Sequence, residues 1–112
     1  MKVSFEGIGE IVAGFYNDGA ACGEICKISG DGRVSAAAAG DRFLGLVLDC
    51  DEAFATVAVC GFVTAAYSGA VPGAGFVKLS ADGSGGVKLD SAGAEYAVVC
   101  ADEGAGTVTI II

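Results

Sequence analysis

Histidine and tryptophan are missing from this 112-residue chain, and proline and methionine occur once each. Without an imidazole, neither a Ser-His-Asp nor a Cys-His relay can be assembled, so any catalysis would have to rest on thiols, lysine or paired carboxylates. Positive charge is also scarce: six Lys and Arg against 14 Asp and Glu give a formal net charge of −8. The six cations, Lys2, Lys27, Arg33, Arg42, Lys78 and Lys88, are scattered. Such a chain repels polyphosphates, which argues against nucleic acid as a partner. No stretch reaches the roughly 18 consecutive apolar residues of a membrane span, and the opening MKVSFE lacks the apolar core of a signal peptide. The expectation is a chain made in the cytosol, with no membrane partner.

What is abundant is small and apolar. Hydrophobic residues make up 54% of the chain and charged ones 18%, so a core is easily filled, but 19 glycines make the unfolded chain costly to order. Regular hydrogen-bonded sheet is the expected compensation. Five cysteines (22, 26, 50, 60, 100) cannot all pair within one molecule, and reduced thiols are expected throughout. Cys50, Cys60 and Cys100 lie in or beside Val-rich runs, where cysteine behaves as a small buried hydrophobe. Cys22 and Cys26, spaced C-x3-C, are the candidates for metal. Zinc would need two further soft ligands that no second pair supplies.

The strongest signal is an internal repeat. CKISGDG at 26–32 returns as VKLSADG at 77–83, and Asp51-Glu52 with Thr56-Val57 returns as Asp102-Glu103 with Thr107-Val108, all at the 51-residue interval that separates Lys27 from Lys78. Between those blocks the interval widens to 53, matching Val34 with Val87, Gly40 with Gly93 and Phe43 with Tyr96. Two copies are too few for a solenoid, so the reading is one all-β domain, 1–112, a compact small barrel or sandwich of two similar β-units. The units are placed at about 23–66 and 75–112, joined by a loop over 67–74.

Strands rich in Val, Ile, Phe and Thr are predicted at 2–5, 10–16, 24–28, 33–36, 43–49, 54–59, 62–66, 76–79, 87–89, 96–101 and 107–112. Asp-Gly and Asn-Asp-Gly turns at 17–19, 29–32 and 81–86 provide the tight reversals between them. The one helical candidate, 35–39, is too short to stand as a helix. Over 54–63 the two strand faces are Phe54, Thr56, Ala58, Cys60, Phe62 and Ala55, Val57, Val59, Gly61, Val63, and neither is polar. A double apolar face implies either a barrel whose exterior is covered or a contact with another subunit. On the second alternative Phe62, Val63 and Tyr67 form the self-association surface.

Chemistry-bearing motifs are weak. Asp49, Asp51 and Glu52, echoed by Asp102 and Glu103, could do acid-base work or hold calcium, but they fall where hairpins must turn. Gly7-Ile8-Gly9 leads into a strand rather than a helix, and 83–86 lies in a hairpin, so neither is a phosphate loop. No catalytic residue, cofactor or metal site is expected.

The runs AGDRFLGLVL (39–48), TVAVCGFV (56–63) and PGAGFVKL (72–79) resemble small prophage-encoded β-proteins similar to phage capsid decoration, or cement, proteins. The resemblance spans roughly Gly23 to the end of the chain, with Gly61-Phe62 standing where the family pattern has Gly-Val. It implies a non-enzymatic virion structural protein, made in the bacterial cytoplasm and carried on the virion surface. Its partners would be other copies of itself, as a trimer, and the phage major capsid protein. Two alternatives stay open: a ligand-binding β-module with its site at the barrel mouth over 67–75, and a Cys- or carboxylate-based metal-dependent enzyme.

Overall fold

A computed structural model describes residues 11–112. The predicted strand at 2–5, the first residue of that at 10–16 and the Gly7-Gly9 motif lie outside the described residues. Ten strands follow: β1 (Ile11–Asn17), β2 (Ile25–Gly30), β3 (Arg33–Ala36), β4 (Gly45–Cys50), β5 (Phe54–Cys60), β6 (Phe62–Ala66), β7 (Gly75–Ala81), β8 (Val87–Leu89), β9 (Ala94–Asp102) and β10 (Thr107–Ile111). The chain is all-β, as the sequence predicts, with no helix among the described residues.

The strands form two five-membered groups. In the first, the order β1-β3-β2-β4-β5 closes into a barrel through antiparallel pairing of β5 with β1. The second runs β6-β10-β9-β7-β8. Substituting β6 to β10 for β1 to β5 turns one order into the other, read around the same ring. The ring of the second group is joined between β8 and β6 by a single parallel bridge, Tyr67 to Val87, where the first has the parallel pairs Tyr16–Arg33 and Asn17–Val34. The amides of Asp18 and Ser68 donate to the carbonyls of Val34 and Val87, at 2.7 and 2.9 Å, so the duplication extends to individual hydrogen bonds.

This pairing moves the boundary between units. β6 was expected to end the first unit, but it pairs with β10 along its whole length, from Phe62–Ile111 to Ala66–Thr107. The chain crosses between groups at Gly61, whose φ of 105° suits glycine, and the Gly61 and Ile112 backbones exchange hydrogen bonds of 3.2 and 3.0 Å. Residues 67–74 therefore lie inside the second group, between β6 and β7, and correspond to the stretch between β1 and β2 rather than to a connector.

Packing explains the double apolar face of 54–63. Ala55 and Val57 point into the first barrel with Cys26, Val34 and Val47. Ala58 faces the other way, into a cluster shared with Val63, Ala65, Leu79, Val87, Val98, Val108 and Ile110 of the second group. The exterior of β5 is thus partly covered within the molecule. Repeat partners hold matching places: Val34 and Val87 are fully buried, as are Val57 and, at 1%, Val108. Each such side chain contributes about 1.5–3 kcal/mol by leaving water.

Phe43 and Tyr96, matched by the repeat, meet across the junction, their rings stacked with centroids 4.6 Å apart. Phe43 was expected to begin a strand, but β4 starts at Gly45. There the backbone passes so close to β5 that a Cβ on Gly45 would collide with the carbonyl of Ala58.

Candidate functional site

Where the two groups meet, a groove of about 540 Å³ is lined by Ile28, Phe43, Leu44, Val59, Tyr96 and Ile112, with Lys27, Asp41 and Arg42 at its edge. The groove exists because β2 pairs with β4 only at Ile25–Leu46 and Cys26–Gly45. The outer half of β2 therefore diverges and leaves Ile28 63% exposed.

Two of the three charges at the edge, Lys27 and Asp41, are paired with each other. Lys27 Nζ donates to Asp41 Oδ2 at 2.8 Å, and the amide of Ala38 donates to the same oxygen at 2.9 Å. The lysine hydrogen bond first, and the Ala38 amide second, hold the Asp41 carboxyl below its usual range. The Tyr96 hydroxyl donates to the carbonyl of Phe43 at 3.4 Å. Arg42 also borders a second cleft of about 290 Å³, lined by Gly40, Ser80, Ala92, Gly93 and Ala94. The arrangement offers an apolar floor and one guanidinium, which suits contact with an apolar group carrying negative charge better than bond-making chemistry. The sequence marks Lys27 and Phe43 as repeat residues, Arg42 as one of the scattered cations, and Asp41 only as part of the 39–48 run. Their convergence depends on the divergence of β2 from β4, which carries no local signal.

The stretch predicted to hold a ligand, 67–75, borders neither groove. It is tied down instead: Pro72 is fully buried, and the Ser68 hydroxyl donates to Asp82 Oδ2 at 2.5 Å. Of the three residues predicted for self-association, Val63 is 5% exposed and belongs to the core, because β6 turns that face inward. Tyr67 is half-buried and packs against the same core, and Phe62 is half-buried on the outer face. Val63 is therefore removed from any surface.

The cysteines also differ from expectation. Cys22 and Cys50 form a disulfide, with Cα atoms 5.6 Å apart and a sequence separation of 28. The two meet because the segment before β2 runs alongside β4: the Gly23 amide donates to Val47 at 2.8 Å, and the Val47 amide donates to Glu24 at 2.9 Å. Cys22 is thus not half of a C-x3-C metal pair. Cys26 is fully buried, and burial pushes its thiol up to about 11, partly offset by a backbone hydrogen bond with Gly45. It is a core residue with no thiolate to offer a metal or a substrate. Cys60 is half-buried and Cys100 exposed, both as free thiols.

The acidic turns are structural. Asp51 Oδ1 accepts from the amides of Ala53 and Phe54, both at 2.8 Å, and those bonds lower its pKa, with Phe54 the larger cause. In the second group, Asp102 Oδ1 accepts from the Ala105 amide at 3.1 Å. Asp90 Oδ2 accepts from the Ser80 hydroxyl at 2.7 Å, which with the Ala92 amide lowers its pKa. Among the described residues, no three Cys, Asp or Glu side chains converge as a metal site would require.

A feature the sequence did not single out is the outer face of the second sheet. Phe62, Ile111, Ala97 and Phe76 are direct partners along one rung across β6, β10, β9 and β7, so all four project to the same side. Phe76 is 77% exposed and Ile111 42%. The next rung carries Thr64, Thr109 and Cys100, with the two threonine hydroxyls 2.9 Å apart. Neither rung bears a charge. The chain matches no protein-family model and no curated protein.

Proposed function

We propose that this protein is a non-enzymatic structural component of a phage or prophage particle, decorating or cementing the capsid surface by binding copies of itself and the major capsid protein. The observation that carries the reading is the uncharged rung of Phe62, Ile111, Ala97 and Phe76 on the outer face of the second sheet, where Phe76 stands 77% exposed on a chain whose net charge is −8. An exposed apolar rung on a sheet face is a surface shaped for protein contact. Two further features support it. A two-group β-body fastened by the Cys22–Cys50 bond is stiff, and it suits an oxidising setting outside the cell better than a reducing cytosol. The resemblance of 39–48, 56–63 and 72–79 to decoration proteins supplies the partner.

The test is co-sedimentation with capsids of the phage whose genome carries the sequence. Saturable binding at a fixed ratio to capsid subunits is expected. Protein left in the supernatant with capsids at micromolar concentration would remove the shell role.

A second reading, a ligand-binding module, is favoured by the junction groove and the guanidinium at its edge. It predicts that an apolar carboxylate raises the melting temperature of the wild-type protein and not of Arg42→Ala.

A further inference from the structure

The rung that carries Phe76 is complementary to itself. Across the sheet, Ala97 lies between Phe76 on one side and Ile111 on the other, so the face has a trough floored by alanine and walled by two large side chains. One rung further along β7 and β9, Lys78 and Glu95 are direct partners, both exposed, with opposite charges side by side. β8 pairs only with Leu79 to Ala81, so it does not extend to the rung of Phe76.

We infer that this face is covered by a second copy of the chain, related by a two-fold axis that runs parallel to the strands between β7 and β9. Such an axis keeps each rung at its own level and exchanges the two strands. Phe76 of one copy then falls over Ala97 of the other, into the trough beside Ile111, while Lys78 of each copy faces Glu95 of its mate. The size match and the charge match come from one operation, with no further adjustment. That is the signature of an isologous contact, in which residue i meets j and j meets i. Sheets packed in this way lie about 10 Å apart, within reach of a lysine and a glutamate extended toward each other.

The inference rests on the proposed self-association and gives it a surface. It also specifies a two-fold contact, whereas the decoration-protein resemblance implies a trimer. A two-fold pair is therefore the assembling unit, or the resemblance misstates the symmetry.

The test is light scattering coupled to size exclusion over a range of concentrations, on the full chain. A dimer mass is expected for the wild type. Phe76→Asp should raise the dissociation constant about 30-fold or more, the scale of a central interface residue. Because Phe76 is largely exposed, that variant should keep its fold, which circular dichroism checks. Ala97→Phe, which fills the trough, should do the same. Lys78→Glu alone should weaken the dimer and Lys78→Glu/Glu95→Lys should restore it, a rescue that a loss of folding would not give. A trimer mass, or a dimer indifferent to Phe76→Asp and Ala97→Phe, overturns the inference. The capsid assay reports separately: a dimer that does not co-sediment keeps the interface and sinks the shell role, and a monomer that does co-sediment does the reverse.

Discussion

Opening the Cys22–Cys50 bond should cost this protein a large share of its stability. The bond closes a loop spanning 28 residues that contains β2, β3 and most of β4. On the chain-entropy account, removing a cross-link over such a loop frees the unfolded state by about 3 to 4 kcal/mol. A domain of this size holds about 5–15 kcal/mol in all. At roughly 4 °C per kcal/mol, the melting temperature should fall by about 12–16 °C. The double variant Cys22→Ser/Cys50→Ser isolates the effect, since Cys22 is exposed and Cys50 half-buried, and their loss opens no deep cavity. The assay is thermal unfolding by circular dichroism on the wild type with and without reductant, and on the double variant, with thiols counted in denaturant. Three thiols are expected without reductant and five with it. Five thiols in the unreduced protein would show that the pair does not form. Three thiols with a melting temperature unchanged on reduction would refute the loop argument itself.

Two further outcomes follow from the core and the acidic turns. Phe43→Ala removes a ring that is 4% exposed and stacked on Tyr96, and it should destabilise the protein by about 3–5 kcal/mol in urea unfolding; a loss below 1 kcal/mol would show that the junction is not a packed core. Asp41, Asp51, Asp82 and Asp90 all have carboxyls held below the ordinary value of 3.8 in the folded protein. For Asp82, burial acts in the opposite direction and is outweighed by the Ser68 hydroxyl and the Ser84 and Gly86 amides. A lowered folded pKa means stability that is fully present above the unfolded value and lost as pH falls through the folded one. The melting temperature should therefore not change through these groups between pH 7 and about pH 5, and should fall as the pH drops below about 4. Asp51→Asn should shallow that acid slope, and an unchanged slope would remove its turn bonds from the account.

The sequence showed the turns and the repeat well, because both are local or self-referential. β3, β6 and β8 lie where predicted, since Arg33, Phe62 and Val87 each follow a glycine and open a short run of strand-forming residues. The boundary between units was misplaced for a physical reason. The strongest repeat blocks begin at Cys26, while the equivalence of β1 with β6 is carried by hydrogen bonds and pairing order rather than by side chains. Ile11 and Phe62, or Asn17 and Ser68, look unrelated until their partners are known. The sequence places Val63 on a surface because the alternation of faces is read unbroken over 54–63, across the gap between the predicted strands 54–59 and 62–66. Gly61, at a φ of 105°, divides that stretch and sends the two halves into different sheets. The disulfide was hidden by its 28-residue separation, since an odd cysteine count says nothing about which two lie 5.6 Å apart.

From its residues alone the chain was bound to be a duplicated, all-strand, acidic protein without imidazole chemistry, because composition, strand propensity and turn glycines act over a few neighbours. Only the tertiary structure decided that Cys22 reaches Cys50, that Phe43 stacks on its own counterpart Tyr96, and that Phe76, Ala97 and Ile111 share one exposed rung. Those pairings join residues tens of positions apart, and their register is set by which strands lie side by side, information that no local stretch of sequence contains.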